Sequence, residues 1–509
     1  MVPVSLSFIR LSDASRPLTV QLVRQIREAV LEGHLSAGEP IPSTRELAQQ
    51  LGVARNTVSA AYQALSSEGT IVLRARRRPF IAALPEQRTA VSSSPVVAGA
   101  LSQAARRLAM AVPEERLSEL MTRRARSRPF GPGIPDLGLL PMRQLERCLV
   151  RRWRAMTSAD ALHDDPRGEI SLRRAILRHV APARGIRATV EQVFITEGSQ
   201  SGIDLCCRAL LDAKHMTWTE APGSVALRAA VGMTGAKLLS IPVDPDGVRV
   251  DVAIRRAAGA RVAFVSPAYA FPSGVQLSLA RRLQLLDWAV TNGATVVEVD
   301  YEGELRADGA PAPALLALDR VGARECVIHI GTFSRSLFPA LRLGFAIVPA
   351  ALVRPFARVR AASTRSAPYP LQAALADFIE DGHWARHMRR LKQATRRRRD
   401  LVIAELRRLL PKETPPSVPA GGALFTVHLP PFVDDRALAT ALAERGVDVL
   451  PLSLGARRRA PTRGLILGVG AHTDAALLHA AGVLSHAVRE AVSAGMQPAR
   501  GVRRARSRH

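Results

Sequence analysis

The chain has 509 residues, 47% hydrophobic and 23% charged, with 35 Gly and 35 Pro. This length exceeds one ordinary domain and the balance excludes a low-complexity or collagen-like chain, so two or more folded domains are expected. The formal charge of +27 excludes an acidic solvating protein and points to a polyanionic partner or to a basic genome-wide composition. Lysine occurs only at 214, 237, 392 and 412, so the positive charge is almost all arginine.

Residues 17 to 83 read as a compact helical unit. Leu18, Leu22, Ile26, Ala29 and Val30 recur at helical spacing and give a first helix one core face. In "IPSTRELAQQLGV", Ser43 followed by Glu46 is a capping box that starts a second helix. Gly52 makes the turn into "ARNTVSAAYQALSSEG", where Val58, Ala61, Tyr62 and Leu65 share a face, and "TIVLRARRRPFIAA" alternates as a hairpin with a basic tip. Helix, helix-turn-helix and hairpin in this order specify a winged DNA-binding module over residues 1–83. Its expected double-stranded DNA contacts are Ser43, Thr44 and Arg45 at the start of the second helix, Arg55, Asn56 and Thr57 at the start of the recognition helix, and Arg74, Arg76, Arg77 and Arg78 in the wing.

Residues 84–124, rich in Ala, Ser, Pro and Arg, read as a linker with a helical turn or two near "ALSQAARRLAM". From 125 to 490, short β-rich runs such as "RVAFVSP", "ATVVEVDY", "CVIHIGTF" and "LGFAIVP" alternate with amphipathic helical spans. This pattern predicts an α/β fold with a mainly parallel sheet between two helical layers. "GGALFTVHLP" and "RGLILGVG" suggest a smaller C-terminal α+β lobe, and residues 491–509 a basic disordered tail. Cys148, Cys206, Cys207 and Cys326 have no metal-ligand spacing, and neither a signal peptide nor an apolar run of membrane-spanning length is evident; a cytoplasmic protein without a metal centre is expected.

Residues 17 to 69 resemble the GntR superfamily of regulators, whose pattern they match closely. Ala54 departs from it where a capping serine is common, and "ARRRPFIA" lacks the usual glycine-rich wing tip. The second block resembles the aminotransferase-type domain of MocR regulators, the GntR subfamily that joins such a reader to a fold-type I pyridoxal-phosphate fold. The motifs that carry this are "RPFGPGIPDLGLLP", "DDPRGEISLRRAILRHVAPARGI", "VFITEGSQSGIDLCCRALL", "EVDYEGELR" and "GTFSRSLFPALRLGFAIVP".

The resemblance implies a phosphate cup from Ser199, Gln200, Ser334 and Arg342, and a tyrosine, Tyr301, that reaches the ring hydroxyl. It also marks three departures. Ser224 replaces the stacking aromatic in "EAPGS", Val299 replaces the aspartate that faces the ring nitrogen in "EVDY", and Arg335 stands at the lysine that would form the imine. Asp300 remains, but neighbouring strand residues point to opposite faces. An arginine stays protonated at neutral pH and its delocalised nitrogens are poor nucleophiles. Covalent cofactor attachment and transaminase activity are therefore not expected.

Arg335 either joins Arg342 in gripping a small phosphate or carboxylate, or pairs with a local carboxylate such as Asp300. The reading is a homodimeric MocR-type transcription regulator that senses a small anion. The alternatives are a protein that binds pyridoxal phosphate noncovalently or keeps residual activity, and a constitutive DNA-binding protein whose large domain only dimerises.

Overall fold

The computed structural model describes residues 6, 8–11, 17–74, 77–83, 102–111, 128–131, 133–162, 164–271, 273–305, 313–321, 324–417, 419, 421–455 and 463–496. The expected contact Arg76, most of the linker and the tail beyond 496 lie outside them. The chain forms two units, Met1–Ala100 and Leu101–His509.

In the first unit, α1 (Leu18–Leu31), α2 (Thr44–Leu51) and α3 (Arg55–Ser67) precede a short antiparallel pair, β1 (Ile71–Val72) and β2 (Phe80–Ile81). Leu22, Ile26, Leu47, Val58, Tyr62 and Leu65 close one core, joined by Leu6 and Ile9 from the N-terminal segment. The capping box forms: Glu46 N donates to Ser43 Oγ at 3.3 Å and Ser43 N to Glu46 Oε2 at 2.8 Å. Gly52 closes α2 at φ 66°, a left-handed geometry that favours glycine. Tyr62 Oη donates to the Pro42 carbonyl at 2.8 Å, tying α3 to the start of α2.

The second unit is built on an eight-stranded sheet in the order β3-β10-β9-β8-β7-β4-β5-β6. Its strands are β3 (Val193–Thr196), β4 (Met216–Ala221), β5 (Lys237–Asp244), β6 (Gly247–Val248), β7 (Val262–Val265), β8 (Thr295–Asp300), β9 (Val327–Thr332) and β10 (Gly344–Ile347). Pairing is parallel from β5 through β4, β7 and β8 to β9. β10 instead runs antiparallel to both β9 and β3, because the short turn from β9 cannot make the crossover that a parallel partner needs. Alternate strand residues feed two cores: Val296, Phe345 and Ile347 pack under one helical layer, and Val297, Val299, Ala346 and Val348 under the other. This is the expected α/β/α arrangement.

The smaller lobe has a three-stranded antiparallel sheet, β11 (Leu424–Leu429), β13 (Arg463–Gly468) and β12 (Leu450–Pro451) in that order, with its own core. The last helix runs Asp474–Met496, past the expected boundary at 490, because Val488 and Val492 continue its buried face. Within the segment read as linker, the helix Gln103–Ala111 packs on the helix Val225–Thr234 of the second unit. Cys148, Cys206 and Cys207 are buried, and burial pushes all three thiols up. Among the described residues no helix is long and apolar enough to cross a membrane.

Candidate functional sites

In the first unit the start of α3 presents Arg55 and Asn56 to solvent, with Thr57 half-buried. Ala54 holds the N-cap position at φ −63°, ψ 138° without a side-chain cap, so this helix start keeps amide donors for a phosphate. Arg45 is exposed on α2, whereas Ser43 is committed to the capping box and Thr44 is half-buried. In the wing, Arg77 is exposed and Arg74 lies over the Phe80 ring, 5.1 Å from its centroid. Arg78 is not a free wing cation: its Nη2 lies 2.8 Å from Glu46 Oε1, linking the wing to the α2 cap.

In the second unit a cleft of about 370 Å³ opens between the C-terminal ends of the central strands and the smaller lobe. The helix Ser199–Leu210 begins at its floor after Gly198, at φ 88°, with no side-chain cap. The Arg342 guanidinium packs at this start: a methyl group on Gly198 would lie 3.7 Å from its Nη1. Arg342 itself adopts φ 51°, an uncommon left-handed geometry for a non-glycine residue. Ser199, Ser334 and Tyr301 also line the cleft, so these residues lie in one place with Arg342. Gln200 lines it too, but its Nε2 donates to the Ala226 carbonyl at 2.9 Å, bracing the neighbouring helix start.

Arg335 lies on the turn between β9 and β10. Its guanidinium fills the space above Gly133, where an added methyl group would come within 1.9 Å of Nη1, and Gly133 at φ 84° is suited to glycine alone. The side chain is 12% exposed and Nη1 finds no hydrogen-bond acceptor among the described residues. The nearest carboxylate is not Asp300 but Glu302, at 3.9 Å from Nε, too long for a hydrogen bond. Glu302 accepts instead from Ala423 N at 2.8 Å. Burial pushes the Glu302 carboxyl up, against the opposing pull of Arg335.

Asp300 is therefore misplaced by the sequence reading. It pairs with buried Arg184 at 2.8 Å and accepts from Gly303 N at 2.7 Å, on the sheet face opposite Val299. It meets Arg335 only across a water-sized void that Arg184, Glu302, Glu304 and His329 also line. Its neighbour Glu298 is held by His329 at 2.9 Å; burial raises that carboxyl, but the histidine and Arg184 outweigh it and leave it lowered.

Ser224 has acquired another role. It is the N-cap of the helix Val225–Thr234, its Oγ accepting from Leu227 N at 3.2 Å. Arg184, Glu302 and Gly133 also belong to the site without any local mark in the sequence: Arg184 meets Asp300 and Gly133 meets Arg335 across more than a hundred positions, and Glu302 meets Arg335 across 33.

These residues fit a pyridoxal phosphate only in part. The cup suits its phosphate, but the cleft lacks a lysine, a carboxylate and a stacking aromatic at the expected positions, and an apolar Val299 lies behind Tyr301. They do not fit the group as an imine-forming cofactor.

Comparison with known proteins agrees with both units. The family described as aminotransferase class I and II matches residues 143–484, and bacterial regulatory proteins of the gntR family match residues 18–81. The chain is 34% identical over 456 residues to the probable rhizopine catabolism regulatory protein MocR of Rhizobium meliloti, covering 90% of each. It is also 34% identical to the HTH-type transcriptional regulator TauR of Rhodobacter capsulatus, covering 88% of this chain and 92% of that one. Among solved structures, the kynurenine aminotransferase of Pyrococcus horikoshii superposes with a TM-score of 0.70 at 23% identity, covering 77% of this chain and 98% of that one, a likeness of fold. A DNA-reading unit of GntR type joined to an aminotransferase fold, matched along nearly its whole length, places this chain in the MocR family of transcription regulators.

Proposed function

We propose that this regulator contacts its operator through the starts of α2 and α3 and the wing, and that its second unit binds a small anion noncovalently instead of running transamination. The observation that carries this is Arg335. A guanidinium, with no acceptor for Nη1 among the described residues, shares a cleft with Arg342 and an uncapped helix start, and no lysine lines that cleft. Such a group holds phosphate or carboxylate oxygens firmly and cannot attack an aldehyde. In this reading the protein acts in the cytoplasm as a homodimer, two readers meeting two operator half-sites. The ligand alters transcription through its preference for one dimer arrangement.

The purified protein, mixed with pyridoxal phosphate, is expected to show no visible aldimine band and no adduct after borohydride reduction and mass analysis. A stoichiometric adduct on any of the four lysines would sink the proposal. Arg335→Lys by itself is expected to leave transaminase activity undetectable, because the stacking aromatic and the ring-facing carboxylate would still be missing; measurable turnover would show the remaining pocket to be competent.

A further inference from the structure

The charges of the cleft narrow the class of its ligand. Among the described residues that line it there is no carboxylate, and the charged side chains are Arg335 and Arg342. They pack against different glycines, Arg342 against Gly198 at the helix start and Arg335 against Gly133. The wall includes Ile134, Val225, Phe271, Leu450, Leu454 and Ile466, all apolar. The acidic residues of β8 do not reach it: Glu298 and Asp300 face the other side of the sheet and are held by His329 and Arg184. Glu302 neutralises Arg335 incompletely, since it stands 3.9 Å from Nε and spends a hydrogen bond on Ala423.

A cleft with two guanidinium groups and no described acidic lining residue has nothing to offer a cationic group that must leave water to enter it. Two anionic groups on one ligand would each meet an arginine, with an uncharged body against the apolar wall. We infer that the ligand is a doubly anionic molecule, a phosphate and a carboxylate joined by an uncharged apolar body, and that molecules bearing an ammonium or pyridinium are rejected. This rests on the reading of the cleft as a noncovalent anion site, and it sets the protein apart from any amino-acid or pyridoxal sensor.

The test is calorimetric titration of the full-length protein with three matched probes: phenyl phosphate, 4-carboxyphenyl phosphate and 4-(aminomethyl)phenyl phosphate. The carboxylate probe is expected to bind at least about tenfold more tightly than phenyl phosphate, and the ammonium probe at least about tenfold more weakly. Arg335→Met should reduce the advantage of the carboxylate probe over phenyl phosphate to within about threefold, and Arg342→Met should weaken all three. The wild-type comparison decides the matter even where a variant does not fold. If the ammonium probe equals the carboxylate probe, or the carboxylate adds nothing, the inference is overturned while the anion site stands. If none of the probes binds, both readings fall.

Discussion

Replacing Ala54 with serine should stabilise the recognition helix. Ala54 already has N-cap geometry, is solvent-exposed and makes no side-chain hydrogen bond, so a hydroxyl there displaces nothing. Serine in place of alanine at an N-cap is worth about 0.5–2 kcal/mol. Thr57 N already reaches the Ala54 carbonyl at 3.0 Å, which partly satisfies one of the amides a cap would serve and puts the gain near 0.5–1 kcal/mol. A gain of that size corresponds to a roughly two- to fivefold slower hydrogen exchange of the amides in α3, wherever exchange requires that helix to open. Exchange followed by mass spectrometry on the full chain isolates this helix from the larger unit, whose peptides serve as the internal control. Unchanged or faster exchange in α3 would refute the placement of Ala54 at the cap and the account of why this helix start is left open.

Other outcomes follow from the remaining sites. Arg55→Ala should weaken operator binding roughly 10- to 100-fold at fixed salt, measured by fluorescence anisotropy, if the exposed guanidinium at the start of α3 meets DNA as proposed. Arg184→Met leaves buried Asp300 without its cation and should lower stability to urea by about 3–5 kcal/mol, with Asp300→Asn in the same chain recovering part of the loss. Glu220 is buried and accepts from Ser266 N at 3.1 Å; burial lifts its carboxyl from 4.5 to about 7, with the hydrogen bond opposing. Between these values the folded state holds a proton that the unfolded state releases, so stability falls as pH rises from about 4.5 to 7 and levels off above it. Glu220→Gln should flatten that decline, which amounts to at most about 3 kcal/mol, in melts across pH 5 to 8; an unaltered slope would show that another group carries it.

What the sequence reveals about this molecule depends on the span over which each feature acts. The capping box needs only Ser43 and Glu46, three residues apart, and the turn that carries Arg335 needs only the apolar runs on either side of it. Both were legible. The alternation of "EVDY" also shows that Val299 and Asp300 diverge, but it does not say what each meets. Arg184, which captures Asp300, is 116 positions away, and Glu302 reaches Ala423 across 121. Nothing local distinguishes these contacts from the many other partners this sequence allows an arginine or a carboxylate. Ser224 illustrates a different limit. Read as a lost aromatic, it is a deficit; its hydroxyl is nevertheless well placed as the cap of the helix that follows, which only the backbone geometry reveals.

The formal charge of +27 overstates what DNA meets, and the salt dependence of operator binding measures by how much. Many arginines are spent inside the second unit. Arg360 is buried against Glu197 at 2.8 Å, Arg282 donates to the carbonyls of Leu277, Pro267 and Pro313, and Arg184 holds Asp300. Within the reading elements, Arg78 is paired with Glu46, while Arg45, Arg55, Arg74 and Arg77 remain exposed. Each phosphate neutralised contributes about −0.9 to the slope of log affinity against log salt, so these four arginines give about −3.6 per reader and about −7 for the two readers of the proposed dimer. A slope near −7 for the full-length protein would show that the reading elements alone face the duplex. A slope two or three times steeper would mean that arginines of the second unit also touch DNA, and the assignment of recognition to α2, α3 and the wing would have to be abandoned.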